Sequence, residues 1–178
     1  MPEHGPNFFL FLLLLAFGPM LLEARHSRNN ERALRAAGAV EPAGDVYSLM
    51  QVAYPACFVA MMVEGWFRAT SPWLSLGIRV FVLAKALKYW AIQTLGPRWT
   101  FRVLVPPSSA RTLAGPYRYL RHPNYVAVAG ELVGFALLAG APVTGTVALL
   151  TFGALMLARI RVEKRALGLR AEDRISSS

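Results

Sequence analysis

Apolar residues along this chain come in long blocks separated by short charged or proline-bearing segments, and the blocks set the expected architecture. The first runs from Phe8 to Leu22 and is interrupted by Gly18-Pro19. It reads as a retained helix kinked at Pro19 rather than a cleaved signal, because Met1 to Asn7 carries no Lys or Arg ahead of the apolar stretch. Residues 23 to 45 turn polar, setting Arg25, Arg28, Arg32 and Arg35 against Glu23, Glu31 and Glu41, with Arg28, Arg32 and Arg35 spaced to share one helical face. A separate surface helix is expected there, then a turn around Gly44, with His26 solvated. Four further apolar blocks, residues 46 to 67, 73 to 95, 125 to 138 and 143 to 160, complete an all-α bundle of about five transmembrane helices. Trp66 and Trp73 flank the short turn from Arg68 to Pro72 as interface anchors. Ala139-Gly140-Ala141-Pro142 predicts a tight turn, and Gly130, Gly134, Gly145 and Gly153 predict close packing of the last two spans as a hairpin. The tail from Arg161 is polar and ends in Ser176-Ser177-Ser178, which predicts fraying.

Composition agrees with that picture. A hydrophobic share of 55% and a mean hydropathy of +0.40 over 178 residues make this a single membrane domain, residues 1 to 178. The net charge of +9 raises nucleic acid as a partner, but the arginines flank the apolar blocks and no nucleic-acid motif accompanies them, so none is expected. The positive-inside rule accounts for them instead, placing the N-terminus outside and the C-terminus, with the loop between the third and fourth spans, in the cytoplasm. Cys57 is the only cysteine and reads as a small core residue. His4 and His26 have no cysteine or carboxylate cluster at ligand spacing, so no metal site is expected.

Several ionisable residues interrupt the apolar blocks. Glu64 lies near the outer end of the second span, where solvation is expected. Arg79, Lys85 and Lys88 punctuate the third; snorkelling accounts for Lys88 and for Lys85, leaving Arg79 to face an interior, a headgroup layer or an anion. Glu131 on the fourth faces either a cavity or a hydrogen-bond partner on another span.

The densest chemistry is Gly115-Pro116-Tyr117-Arg118-Tyr119-Leu120-Arg121-His122-Pro123-Asn124-Tyr125, too polar and proline-bound for a lipid-facing span and unusually aromatic for a solvated loop. Each proline disfavours the helical region for its predecessor, so Gly115 and His122 are expected to be extended. By composition alone the stretch reads equally as a ligand-binding loop or as a basic cytoplasmic loop with aromatic anchors. Further on, Arg159 and Glu163 stand four apart and share a helical face, where an Arg-before-Glu salt bridge is the less favourable order.

In its residue order this stretch resembles the G-P-Y-R-x-x-R-H-P-x-Y signature of the isoprenylcysteine carboxyl methyltransferase family, membrane enzymes that use S-adenosylmethionine. Leu95-Gly96-Pro97-Arg98-Trp99-Thr100 is similar to the family's L-G-x-x-[FW]-[ST] segment, and Arg159-Ile160-Arg161-Val162-Glu163 to its R-I-x-x-E ending. Lys164 departs from the pattern, since many members carry a second glutamate there. The resemblance covers residues 80 to 167, and divides the chain into N-terminal spans at 1 to 72, a methyltransferase core at 73 to 170 and a tail at 171 to 178.

The resemblance implies that S-adenosylmethionine, with S-adenosylhomocysteine as product, is held by Tyr117, Arg118, Leu120, Arg121, His122, Pro123, Tyr125 and Glu163. It implies catalytic roles for Arg159 and Glu163, with Arg159 holding an anionic acceptor oxygen. The implied acceptor is a lipophilic carboxylate or phenolic hydroxyl entering from the bilayer, such as a prenylcysteine or an alkylresorcinol or alkylpyrone. A phospholipid N-methyltransferase is a further reading, and a non-catalytic scaffold or small transporter is the alternative of a different class.

Overall fold

The computed structural model describes residues 5–68, 71–105 and 112–176. His4, the prolines and serines at 106 to 109 and the last two serines lie outside the described residues, as does the Lys164 side chain. The chain is all-α, with helices α1 (Pro6–Ala36), α2 (Tyr47–Trp66), α3 (Leu74–Leu95), α4 (Pro123–Ala139) and α5 (Pro142–Ser176). Prolines open α1, α4 and α5, where a missing N–H costs nothing because the first-turn donors have no intrahelical partner. Gly140 ends α4 in the left-handed conformation that a Cβ would oppose.

Three of the helices, α1, α2 and the Pro142–Glu163 part of α5, are long and apolar enough to cross a membrane. The other two fall short for visible reasons: α4 has 17 residues, and α3 carries Arg79, Lys85 and Lys88. Exposed leucines and valines recur seven apart on one helix face, as Leu14 and Leu21, Val52 and Val59, and Leu150 and Leu157. Each helix thus carries an exposed apolar stripe. Trp66 and Trp73 are exposed on either side of the turn between α2 and α3.

The first helix differs from expectation. Residues 23 to 36 do not form a separate surface element; α1 runs unbroken through Pro19 to Ala36. Its polar inner face is buried because the loop after α3 supplies partners. Asn30 Nδ2 donates to the carbonyls of Gly96 (3.1 Å) and Trp99 (2.8 Å), and Ser27 Oγ accepts from the Phe101 amide at 2.8 Å. His26 is exposed as expected and stacks on Trp99. The segment after α1 pairs with the same loop through an isolated antiparallel bridge between Val40 and Val105. The expected fraying from Arg161 is likewise not observed, since α5 continues to Ser176.

Where lipid replaces water, helix association rests on close packing and buried polar contacts rather than on apolar transfer. The most extensive helix contact is α3 on α4, beside the expected α4–α5 hairpin. A Cβ on Gly134 would lie 2.6 Å from the Phe81 nitrogen, one on Gly77 2.6 Å from the Leu138 nitrogen, and one on Gly130 2.9 Å from the Ala84 Cβ. Gly145 does abut Ala136 across the hairpin, whereas Gly153 has open space around it. Phe58, Phe81, Phe135 and Leu132 fill the centre, with Phe58 and Phe135 edge to face at 4.8 Å, and Cys57 packs against this core.

Glu64, expected to be solvated, instead caps α5. Its carboxylate accepts from the Thr144 amide (2.7 Å) and hydroxyl (2.6 Å) and pairs with Arg68 at 2.9 Å, satisfying first-turn donors at the positive end of that helix.

Candidate active site

The loop end of the bundle gathers the C-terminus of α1, the N-terminus of α2, the C-terminus of α3, the N-terminus of α4 and the inner part of α5. Between them lies a cavity of about 830 Å³. Its mouth is polar, with Arg28, Glu31, Arg121, His122 and Glu163. Aromatic rings of Tyr47, Trp99, Phe101, Tyr117 and Tyr125 surround that end, while Phe17, Met20, Pro55, Val128 and Phe152 make the deeper walls apolar. Tyr54 and Lys88 close the floor. Tyr54 follows Tyr47 by seven residues, placing the floor about 10 Å below the mouth along the helix axis.

The signature stretch is bent by its prolines. Gly115 is not extended as expected but sits at φ +53°, against the Thr94 side chain, where a Cβ would clash. It opens a short 3-10 turn, Gly115–Arg118, that points Tyr117 inward. His122 sits outside the helical region (φ −135°, ψ 67°) as the residue before α4, and its ring stacks on Tyr125 at 5.3 Å. Its Nδ1 lies 4.0 Å from the Glu163 carboxylate, so the loop and α5 meet at this pair. Burial, and then the Glu163 charge, push the Tyr117 hydroxyl up to about 12, which keeps it a neutral phenol.

Of the residues expected to hold a cofactor, Tyr117, Arg121, His122, Pro123, Tyr125 and Glu163 line the cavity together. Arg118 and Leu120 lie off it; Arg118 is exposed, with its guanidinium 6.0 Å from the Tyr119 ring. Arg159 lines the cavity too, but it is buried and engaged: it donates to the Phe101 carbonyl, lies 3.7 Å from Asp45 and meets Tyr125. Asp45 in turn accepts from the amides of Tyr47 (3.1 Å) and Val103 (3.0 Å), so the arginine is held in the wall by a braced carboxylate.

Sequence reasoning missed several groups. Asp45 lay in a polar segment with nothing to mark it. Asn124, at the variable position of the signature, lines the cavity with a buried Oδ1 that has no donor among the described residues. The larger omission is a cluster of four buried charges. Lys85 Nζ lies 3.0 Å from both Glu23 and Glu131, and Lys88 Nζ lies 2.6 Å from Glu23 and 3.2 Å from Glu131. Neither lysine snorkels; Lys88 is only 2% exposed, and the sum of the four charges is zero. Arg79, by contrast, is exposed and folds back on the Ser75 carbonyl. Glu131 faces other spans as well as Tyr54, whose hydroxyl donates to it.

The fold is thus a helical bundle with three helices long and apolar enough to cross a membrane, in which the proline-bearing loop and the last helix converge on one cavity. Residues 75–168 match the isoprenylcysteine carboxyl methyltransferase (ICMT) family, and the chain belongs to it. Similar chains include the uncharacterized protein YpbQ of Bacillus subtilis strain 168, 28% identical over 89% of this chain and 96% of the relative. An uncharacterized protein of Haemophilus influenzae is 27% identical over 89% of this chain and 92% of its own length. No solved structure matches the chain.

Proposed function

We propose that the protein is a membrane methyltransferase that takes S-adenosylmethionine from the cytoplasm and transfers its methyl group to an oxygen of a lipophilic acceptor. Family membership supports the reaction class. The observation that carries the reading is the meeting of His122 and Glu163 with Tyr117 and Arg121 at the polar mouth of a cavity whose depth is apolar. The donor set fits the cofactor. Glu163 suits its ammonium group, Arg121 and His122 its carboxylate and ribose hydroxyls, and the surrounding rings its adenine. The unpartnered Asn124 Oδ1 would accept one N–H or O–H from such a ligand.

When bound, the cofactor supplies a methyl group on a cationic sulfur. The chain's part is then positioning and exclusion of water. Aromatic faces accommodate the positive charge, the apolar walls shelter the acceptor, and Arg159, held by Asp45 and Tyr125, fixes the wall between them. In this reading five spans place the N-terminus outside and the site at the cytoplasmic face, as the basic loops imply. Incubation of vesicles holding the protein with methyl-labelled cofactor tests the proposal. Label should enter the lipid fraction with wild type and not with His122→Ala or Glu163→Ala; equal incorporation by all three would refute it.

A further inference from the structure

The four-charge cluster joins two cavities. Lys88 and Tyr54 form the floor of the large one, while Glu23 lines a second, smaller one of about 320 Å³ with His26, Tyr89 and Gln93. Between them the groups form a continuous chain: Tyr54 donates to Glu131, Lys85 bridges Glu131 and Glu23 at 3.0 Å to each, and Lys88 bridges them again. Two of the links, Glu23 and Tyr54, belong to helices outside residues 75–168 matched by the family. A static stitch between helices would need no contact with either cavity.

Hydrogen-bond polarity gives the cluster a direction. A tyrosine has one O–H, and Tyr54 spends it on Glu131, so toward the large cavity its oxygen offers only lone pairs. The group it recognises there is a donor. A neutral hydroxyl satisfies it; an ionised carboxylate has no proton to give. The groups facing Tyr54 are Glu131 from α4, Lys88 from α3 (5.5 Å from the ring), Glu23 from α1 and Cys57 on its own helix, while α5 sets the Phe152 ring against it.

We propose that Tyr54, Glu131, Lys85 and Glu23 form a proton relay that carries the acceptor's hydroxyl proton from the large cavity to the small one during methyl transfer. The inference rests on the methyltransferase reading above and narrows its acceptor to a lipid bearing a neutral hydroxyl. As the acceptor oxygen's electron pair forms the new O–CH3 bond, the methyl–sulfur pair returns to sulfur and the sulfonium becomes a neutral thioether. The acceptor O–H breaks, its proton passes to the Tyr54 oxygen, and the Tyr54 proton passes to Glu131. Lys85 then gives a proton to Glu23 and recovers one from Glu131, and Glu23 releases it through the small cavity beside His26. The cluster returns to zero net charge.

Tyr54→Phe keeps the ring that packs on Phe58 and Phe152 and removes only the relay oxygen. The test compares it with wild type in detergent, using a long-chain alkylphenol and a farnesylated cysteine as acceptors, with S-adenosylhomocysteine affinity measured alongside. Wild type should methylate the phenol, and the variant should lose on the order of 100-fold at neutral pH, as expected for lost proton transfer. That loss should shrink as rising pH ionises the phenol in solution, with S-adenosylhomocysteine affinity unchanged. Activity of the variant within about threefold of wild type at neutral pH, a deficit that is the same at every pH, or methylation of the carboxylate alone would overturn the relay while leaving the methyltransferase reading intact. Failure of wild type to bind S-adenosylhomocysteine would overturn both, and the affinity measurement separates that case.

Discussion

The ammonium of Lys88 on α3 lies 2.6 Å from the Glu23 carboxylate on α1, with both side chains almost fully buried. Desolvating such charges costs more than any one pair recovers, so the arrangement holds only while all four members are present. Lys88→Ala would leave two carboxylates sharing one lysine. It is expected to lower stability by about 3–5 kcal/mol, read as a large drop in thermal unfolding temperature in detergent. An unchanged transition would mean that the charges are solvated and the cluster is not closed.

Close approach of α3 and α4 gives a second expectation, with its own control. Gly134→Ala would drive a Cβ into the Phe81 backbone and should destabilise by about 1–3 kcal/mol. Gly153→Ala, on α5 with open space around it, should leave the unfolding transition within experimental scatter. Equal effects would contradict the packing described.

The sequence made these features legible to different degrees. Ionisable residues at Lys85, Lys88 and Glu131 stood out in apolar surroundings, but their partner Glu23 lies 62 residues before Lys85, and spacing within a helix cannot reveal a pairing between helices. Residues 23 to 36 read as a surface helix because composition does not say what a face meets; the backbone of residues 96 to 101 meets Ser27 and Asn30, and Lys85 and Lys88 meet Glu23. Gly130 and Gly134 were readable as close-packing sites, yet which neighbour they admit depends on the whole bundle. The signature loop was legible because its prolines and its residue order act locally, and its convergence with Glu163 followed from placing both at the same end. Arg118 falls off the cavity because successive side chains of a 3-10 turn point about 120° apart, so the turn that carries Tyr117 inward carries its neighbour away, while Leu120 lies beyond that turn.

Titration of Tyr117 offers a third expectation. Its phenol is held up to about 12 in the folded protein by burial and then by Glu163, against about 10 in an unfolded chain. The unfolded state therefore loses this proton first, binds fewer protons between those values, and gains stability relative to the fold as pH rises from about 10 toward 12. Below about pH 10 the group contributes no pH dependence. Ultraviolet titration should show one phenol fewer ionising at the alkaline extreme in Tyr117→Phe, and that variant should lose less stability than wild type across the window. An ordinary tyrosine titration there would contradict the buried placement.

The central claim is that His122 and Glu163, brought within 4.0 Å by a proline-bent loop and the last helix, hold a nucleoside cofactor. Calorimetric titration of the detergent-purified protein with S-adenosylhomocysteine tests it most directly. Saturable binding that falls at least about tenfold in Glu163→Ala, a loss of about 1.4 kcal/mol or more, is the predicted result. No binding by well-folded wild type, or undiminished binding by the variant, would contradict it.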